Sequence, residues 1–341
     1  MSSQIQVEEA TERNRDKTVD IKEYFSNNRS VLGLFGALLL LMMFFSIAAP
    51  NFLTIGNFID VLRQMSMIAI IAIGMTFVII TGEIDLSVGS LVAASSAILG
   101  FLAIQASMNI WLAIIITMVI GGLSGYSVAF LRNRYGIPSF ITTLGWLSVW
   151  RGVAYLVTGG FPITPYPESF SFIGSGFIGP IPVTVIIMVA LFAIFYYVLN
   201  KTTFGRYVYA TGSNMKAAQL SGVPVTKVKV AVFVITGVLT AIAGIILSSR
   251  LMSSTPTVAN GWELDVIAAV IVGGTSLFGG RGSLIGTFLG ALFIAILGNG
   301  MVLIGVSPYM QLVIKGSIIV LAVLLSAMQT YGWRGQQKDI A

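Results

Sequence analysis

Residues 31–49 read VLGLFGALLLLMMFFSIAA, a run of apolar side chains without a single charge. A helix needs roughly 20 apolar residues to cross a lipid bilayer, so this run predicts a membrane-spanning helix. The rest of the 341-residue chain has the same character, with 56% hydrophobic and only 9% charged residues. Ordinary soluble domains carry about 25% charged residues. We therefore expect an integral membrane protein that crosses the bilayer many times.

Further apolar runs follow the first one, and together they predict an all-α, polytopic membrane protein with about ten transmembrane helices. Glycines interrupt two of the runs, 87–105 and 264–280. The predicted spans are 31–49, 65–82, 87–105, 110–131, 137–157, 183–200, 228–249, 264–280, 283–304 and 308–327.

Basic residues indicate which ends of these spans face the cytoplasm, because cytoplasmic loops carry an excess of Lys and Arg. With both termini inside, all but four of the 19 Lys and Arg residues lie in or beside cytoplasmic segments. The long outer segment 158–182 contains no basic residue. The chain then divides into a cytoplasmic tail 1–30, a transmembrane domain 31–327 with a long cytoplasmic loop 200–228, and a cytoplasmic tail 328–341.

The composition excludes several classes of function. The chain has no Cys and no His, which removes disulfides, thiolate nucleophiles, imidazole bases and Cys/His metal sites. We therefore expect no metal site and no catalytic residues. The formal net charge of +6 is typical of basic cytoplasmic loops in a membrane protein, and no block of basic residues resembles a nucleic-acid groove.

The segment Thr81–Ser90 places two carboxylates, Glu83 and Asp85, between two predicted spans. Ionisable groups inside a membrane are costly and often functional, so a proton or cation site is one interpretation. The other, which we favour, is that Asp85 or Ser87 caps the following helix and satisfies its free backbone N–H groups. No basic residue lies near either carboxylate in the sequence.

The loop 200–228 carries the signals of one short helix. Ser213 has the side chain of an N-cap, a helix is predicted over 214–221, Gly222 suits the left-handed position after it, and Pro224 prevents continuation. A helix this short is not stable alone. It either docks in a groove of another protein or packs on its own domain, and both interpretations stay open. The apolar residues expected on its surface are Met215, Ala217, Ala218 and Leu220.

The segment Gly273–Ser283 superficially resembles a phosphate-binding loop. That loop has the pattern Gly-x-x-x-x-Gly-Lys-Ser/Thr after a strand, whereas Gly280 stands where the lysine must be and an apolar span comes before it. We therefore reject nucleotide binding here and expect a tight bend between two spans, with Arg281 at the inner surface.

Four charged residues fall near the outer ends of the predicted spans. Structural ion pairs, such as one between Lys315 and Asp265, are the interpretation that we favour for these residues, and ligand contacts are the alternative. The four are Arg151, Glu263, Asp265 and Lys315.

Together, these segments resemble the ribose-type permeases of bacterial ABC sugar importers. The resemblance runs in order from about residue 45 to about residue 328. This family often has a second glycine where Glu83 stands, so we expect a Glu83→Gly variant to be tolerated. The motifs that carry the resemblance are Ile80–Ser90, Gly136–Gly145, Trp150–Ala154 with Thr158–Ile163, Gly205–Asn214 with Ala217–Gly222, and Glu263–Ser283.

The resemblance implies a transport subunit that lacks an ATPase motif of its own. Two such permease subunits, identical or closely related, form a pore in the bacterial cytoplasmic (inner) membrane. A cytoplasmic ATP-binding subunit, which binds ATP and Mg, docks on the 213–222 helix, so no cofactor is expected in this chain. An extracytoplasmic sugar-binding protein delivers a monosaccharide such as ribose or another pentose. A nucleoside or a furanosyl signalling molecule stays open as the substrate.

The docking role implied by the resemblance falls on Ser213, Asn214, Met215, Ala217, Ala218, Leu220 and Gly222. Gating or architectural roles fall on Asp85, Ser87, Gly89, Thr275 and Arg281. The main alternative is a secondary transporter driven by an ion gradient, with Glu83 or Asp85 as the coupling site. A passive channel would need a long polar selectivity loop, and an intramembrane enzyme would need a Ser or Asp dyad; neither is visible in the sequence.

Overall fold

The computed structural model describes residues 29–331, so the predicted tails 1–30 and 328–341 lie almost entirely outside the described residues. The described part is mostly helical, and its one small sheet is a hairpin in which β1 (Phe177–Ile178) pairs antiparallel with β2 (Ile181–Pro182). It is a polytopic, all-α membrane protein. The α-helices are α1 (Arg29–Ala48), α2 (Ile55–Ile80), α3 (Val88–Gly100, continued by a π-helix over Phe101–Gln105), α4 (Ile110–Tyr135), α5 (Ser139–Thr158), α6 (Ser171–Ser175), α7 (Val183–Lys201), α8 (Thr203–Ser213), α9 (Met215–Leu220), α10 (Val225–Leu251), α11 (Trp262–Val272), α12 (Leu284–Leu303) and α13 (Pro308–Tyr331).

Within residues 29–331, eight helices are long and apolar enough to cross a membrane. The apolar stretch Gly33–Ala48 of α1 is shorter than these eight. The eight are α2, α3 with its π-helical continuation, α4, α5, α7, α10, α12 and α13.

The predicted span 264–280 is wrong as a continuous helix. Its helical part, α11, has only 11 residues, which at 1.5 Å per residue is about 16 Å long. The hydrocarbon core of a bilayer is about 30 Å thick, so α11 reaches only about halfway. The chain leaves the helix at Gly273, and Gly274 has a φ of +88°, which cannot continue a right-handed helix.

Helices α2 and α10 lie at the centre of the molecule. Every residue of α2 from Met65 to Ile80 is buried. Helix α10 packs closely on α4, because a Cβ atom on Gly125 would lie only 2.0 Å from the carbonyl oxygen of Phe233. A Cβ atom on Gly121, one turn earlier, would lie 2.5 Å from the carbonyl oxygen of Gly237. The glycines spaced four apart therefore serve close helix packing, as is common in membranes.

Helices at the periphery expose apolar side chains along much of their length. Leu156 of α5, Tyr197 of α7 and Leu321 of α13 are all exposed. In water such surfaces would be unfavourable, whereas lipid chains solvate them well. The central helices therefore form the packed interior, and the peripheral helices present the surface that lipid or another membrane subunit covers.

Candidate functional site

The predicted loop 200–228 is mostly helical. It contains α8 and α9, which meet at Asn214. Asn214 has extended backbone angles, and its Oδ1 accepts a hydrogen bond from the Ala217 N–H at 3.0 Å, so it is the N-cap of α9. The prediction of Ser213 as the cap is wrong, because Ser213 is still the last helical residue of α8. The predicted left-handed position is confirmed at Gly222, with φ of +82°.

Helix α9 presents a mixed surface. Leu220 is 91% exposed, and Met215 and Ala217 are also exposed. The expectation that Ala218 lies on this surface is wrong, because Ala218 is only 6% exposed and faces the rest of the chain. Its position follows from the helix, since one face of α9 must pack on the domain that holds it. The free apolar surface therefore consists of Met215, Ala217 and Leu220.

The segment 200–228, which contains α9, is positively charged. It exposes four basic side chains, and none of its residues is acidic. Helix α8 folds tightly against the end of α7, because a Cβ atom on Gly205 would lie 1.9 Å from the carbonyl oxygen of Leu199. The exposed basic residues are Lys201, Arg206, Lys216 and Lys227.

The C-terminal end of α8 contacts two connections between helices, the one from α2 to α3 and the one from α11 to α12. A Cβ atom on Gly212 would lie 1.7 Å from the carbonyl oxygen of Ile80, the last residue of α2. The Gly280 N–H donates to the same oxygen at 2.8 Å, and the Tyr209 hydroxyl donates to the carbonyl oxygen of Gly282 at 2.8 Å. Residues from α2, α8 and the segment 273–283 thus form one compact junction beside α9.

A cavity of about 280 Å³ opens at this junction. It brings together two predicted site residues from distant parts of the sequence, Ser213 and Arg281. Arg281 is exposed. Thr275 is buried instead: its N–H donates to the Val270 carbonyl oxygen, while its hydroxyl has no partner among the described residues. The full lining is Gly212, Ser213, Ser276, Phe278, Gly279, Gly280 and Arg281.

Glu83 lies in the connection between α2 and α3, and it is buried in a cluster of polar side chains. Its carboxylate accepts hydrogen bonds from Arg132 Nε at 3.0 Å, from Ser139 Oγ at 2.6 Å and from Lys229 Nζ. These partners belong to α4, α5 and α10, so they are far away in the sequence. Periodicity and spacing could not have identified them.

The cluster keeps Glu83 ionised. Burial alone would raise the pKa of its carboxyl, but the hydrogen bonds from Lys229 and Ser139 and the charges of Lys229 and Arg132 lower the pKa below its ordinary value. A carboxylate held in this way does not exchange protons near neutral pH. The geometry therefore favours a structural tie between helices over a proton-coupling site.

Asp85 lies just before α3, and its side chain accepts hydrogen bonds from the residue that precedes the helix. Its Oδ1 accepts hydrogen bonds from the Ser87 N–H at 2.9 Å and from the Ser87 hydroxyl at 2.6 Å. Asp85 therefore satisfies backbone at the beginning of the helix, in line with the favoured interpretation. Ser87 occupies the N-cap position, but its side chain makes no capping bond. Its hydroxyl is directed to Asp85 instead.

Gly89, on the first turn of α3, lies apart from the junction and contacts α11. A Cβ atom on Gly89 would lie 2.1 Å from Glu263 Oε2 and 2.9 Å from the carbonyl oxygen of Ala259. Only glycine allows this approach. The predicted gating residues thus fall into separate places, with Asp85, Ser87 and Gly89 around the start of α3, and with Thr275 and Arg281 in the segment after α11.

The charges expected near the outer ends of the spans behave in two ways. Lys315 Nζ lies 2.8 Å from Asp265 Oδ2, which confirms this ion pair between α13 and α11. Arg151 instead donates to two backbone carbonyl oxygens, those of Pro256 at 2.8 Å and Val258 at 2.9 Å. Glu263 makes no salt bridge within residues 29–331, but its charge and that of Arg151 attract each other over a longer distance.

Comparison with known proteins covers most of the chain. A family model described as "Branched-chain amino acid transport system / permease component" matches residues 57–323. The ribose import permease protein RbsC of Bacillus subtilis (strain 168) is 45% identical over 304 residues, which are 89% of this chain and 94% of the relative. The probable ABC transporter permease protein YphD of Escherichia coli (strain K12) is 43% identical over 316 residues, 92% of this chain and 94% of the relative.

A more distant relative is the xylose transport system permease protein XylH of Escherichia coli (strain K12). It is 33% identical over 370 aligned positions, which cover 89% of this chain and 93% of the relative. No solved structure matches the chain. The family match includes the α2–α3 connection, the α11–α12 connection and the whole of α8 and α9. The chain therefore belongs to the family of ribose-type permeases of ABC transporters.

Proposed function

We propose that this chain is the membrane-spanning subunit of an ATP-driven importer of a monosaccharide. The relatives named above are permeases for ribose and xylose, and a pentose is therefore the substrate class that we infer first. A separate ATP-binding subunit, holding ATP and Mg, supplies the energy. The subunit lies in the bacterial cytoplasmic membrane with about ten membrane passages, and the Lys and Arg distribution supports both termini inside.

The single observation that carries this proposal is the exposed surface of α9. A six-residue helix is not stable alone, yet here it is capped, held by α8 and α10, and left with Leu220 almost fully exposed. An exposed leucine on a short capped helix, in a segment whose only charged residues are basic, fits a groove with an apolar floor and an acidic rim. We infer that the ATP-binding subunit provides this groove.

Two further partners complete the proposed transporter. A second permease subunit covers part of the exposed helical surface and encloses the pathway between the two copies. A sugar-binding protein docks on the outer side, where the segment 159–182 folds into a 3₁₀ turn, the short α6 and the β1–β2 hairpin. That segment exposes Phe161, Phe172 and Phe177, which suit a protein contact better than water.

The test of the proposal is a substitution on α9 in the reconstituted transporter. Leu220→Arg should weaken binding of the ATP-binding subunit by about tenfold or more, because a central apolar anchor of an interface carries much of its binding energy. Folding should be unaffected, since the side chain is exposed. Leu220→Met is the matched control and should bind normally. Normal ATP-dependent uptake by the Leu220→Arg variant would exclude α9 as the docking helix.

The substrate is identified in the same preparation. The ATPase rate of the complex is measured with the neighbouring binding protein, first empty and then loaded with ribose, with xylose or with a nucleoside. The sugar that raises the rate is the substrate. Uptake that follows a proton or sodium gradient and needs no ATP-binding subunit would instead support the secondary transporter. The ion pairs of Glu83 weigh against that alternative.

A further inference from the structure

The chain between α10 and α11 leads to a helix, α11, that starts about halfway across the bilayer. The end of α11 packs against the first turn of the spanning helix α12, because a Cβ atom on Gly273 would lie 2.5 Å from the backbone of Gly286. From there α11 extends back for only about 16 Å. Its first residue, Trp262, is therefore about half a bilayer away from that end.

The contacts between α3 and α10 give an independent measure of the depth at which α11 starts. Helices α3 and α10 run parallel, since Ser248 Oγ bonds Ser96 Oγ and Gly244 packs on the Val92 carbonyl oxygen with the same offset between the residue numbers. That offset puts Gly89 beside Ala241. At 1.5 Å per residue, Ala241 is about 18 Å along α10 from Lys229, the partner of Glu83 at the other end.

Gly89 contacts both Glu263 and Ala259, so these residues also lie about 18 Å from the charged end of the bundle. Helix α10 reaches the opposite side of the protein before it ends at Leu251. Residues 252–261 must then return from that side to the middle of the membrane without forming a helix. We name residues 252–261 the re-entrant segment.

Contacts with neighbouring helices hold the re-entrant segment along its length. Ser254 forms a β-bridge with Ile163 on the outer side, and its hydroxyl donates to the carbonyl oxygen of Ser96. Deeper in, Arg151 of α5 donates to the carbonyl oxygens of Pro256 and Val258. The segment is thus fixed on its protein side.

Its other side is open and polar. Thr257 and Asn260 are exposed, and Glu263, just after the segment, is partly exposed. Irregular backbone at membrane depth does not face lipid, because its polar groups would lose their hydrogen bonds; it lines a water-filled path or lies against protein. The open face of the re-entrant segment therefore does not belong to the lipid surface.

The chemistry of this face suits a polyhydroxyl ligand. Thr257 has a hydroxyl and Asn260 has an amide, and both side chains are exposed. These groups donate and accept hydrogen bonds, as sugar hydroxyls do. The Oε2 atom of Glu263 is not part of this face, because it is buried against Gly89.

We propose that the re-entrant segment lines the translocation pathway and, through Thr257 and Asn260, forms a transient hydrogen-bonding site for the sugar at mid-membrane. The proposal rests on the proposed function, which supplies the sugar and the pathway. The site is transient because a few exposed hydrogen bonds exchange readily with water. Such a site conducts the sugar without holding it.

Water access to the segment is the first test. The chain has no natural cysteine, so a single introduced thiol is labelled specifically. Asn260→Cys is compared with Val149→Cys, which lies two residues from Arg151 on α5 and exposes an apolar side chain. The complex with its ATP-binding subunit is reconstituted in nanodiscs and treated with a charged, membrane-impermeant methanethiosulfonate, with and without a non-hydrolysable ATP analogue.

Asn260→Cys should react at least about tenfold faster than Val149→Cys in one of the two nucleotide states, because charged reagents do not enter lipid. If Asn260→Cys is as unreactive as Val149→Cys in both states, the segment lies against protein or lipid and the proposal is overturned. This readout needs no sugar transport. A transporter that proves not to be ATP-driven would therefore refute the proposed function separately from the pathway assignment.

The second test concerns the sugar contact. Asn260→Leu removes an exposed amide and nearly keeps the volume of the side chain. The expected result is a roughly tenfold lower ratio of sugar moved to ATP hydrolysed, with Asn260→Asp intermediate between this variant and the wild type. A purely structural residue would lower the amount of assembled complex and leave this ratio unchanged. An unchanged ratio in Asn260→Leu would overturn the sugar contact.

Discussion

Glu83 illustrates how much one buried charge depends on its partners. Its carboxylate ties the α2–α3 connection to three helices through Arg132, Ser139 and Lys229. Breaking a buried ion pair by removing one partner typically costs about 3–5 kcal/mol, because the other charge stays buried without compensation. The expectation that glycine is tolerated at position 83 took no account of Lys229, which is itself buried.

We therefore predict that Glu83→Gln lowers the free energy of unfolding by roughly 3 kcal/mol. The midpoint of thermal unfolding of the purified protein in detergent measures this. The double variant Glu83→Gln with Lys229→Met should recover most of the loss, because it removes both charges. Glu168→Gln, at an exposed carboxylate between α5 and α6, is the control and should have no effect. Equal stability of Glu83→Gln and the wild type would contradict the structural role of the cluster.

The same cluster predicts a pH dependence. The pKa of Glu83 is lowered from its ordinary value of 4.5, so its stabilising contribution is complete above that pH and is lost as the pH falls further. The wild type and Glu83→Gln should therefore differ in unfolding midpoint at neutral pH and converge in acid. A difference that persists unchanged well below pH 4.5 would refute the charged interaction.

At Gly89, a single hydrogen atom in place of a side chain permits the contact between α3 and α11. A methyl group there would overlap Glu263 Oε2, so Gly89→Ala should force the two helix ends apart and reduce the yield of folded protein. Gly145→Ala is the matched control, because nothing lies within 4 Å of the added methyl group in α5. Comparable yields for both variants, measured by size-exclusion chromatography in detergent, would show that the close approach is not required.

At the scale of the elements, α9 depends on its cap. Six residues cannot sustain a helix without help, and the Asn214 side chain satisfies one of its free N–H groups. We predict that Asn214→Ala weakens α9 by about 1 kcal/mol, whereas Asn214→Asp keeps the capping oxygen and the helix. Hydrogen exchange over residues 215–222 should become faster in the alanine variant alone.

If the docking proposal holds, the alanine variant should also bind the ATP-binding subunit more weakly, since it must order α9 on binding. The Ala218 position is unsuitable for a docking test, because an arginine there would clash with the protein's own interior. Similar exchange rates in Asn214→Ala and Asn214→Asp would show that the neighbouring helices hold α9 without the cap.

At the scale of the whole molecule, the membrane orientation links the surfaces to their partners. The exposed basic residues near α9 and the aromatic residues of the outer segment must lie on opposite sides if both docking proposals are correct. In intact cells, an impermeant thiol reagent should label Phe161→Cys, and it should label Leu220→Cys only after the membrane is permeabilised. Labelling of both from outside would overturn the orientation with both termini inside.

Most of the membrane helices were predictable from the sequence, because a continuous apolar run of about 20 residues has few alternatives in a bilayer. Helix α9 was located to within a residue or two, since glycine, proline and a capping side chain act locally. The failures at Ser213 and Ala218 have one cause. Capping and burial depend on which neighbouring helix continues or packs there, and local signals do not contain that information.

The amino-acid sequence by itself determined that this chain is a helical membrane protein, and its motifs indicated its family. Only the tertiary structure decided which polar groups meet. Glu83 and Lys229 are bonded although they are 146 positions apart in the sequence. Gly89 of α3 and Glu263 of α11 are also in contact although they lie far apart in the sequence. The physical reason is that hydrophobic runs act through the bilayer as a solvent, whereas ion pairs and close backbone approaches act over a few ångströms and require the packed helices to exist first.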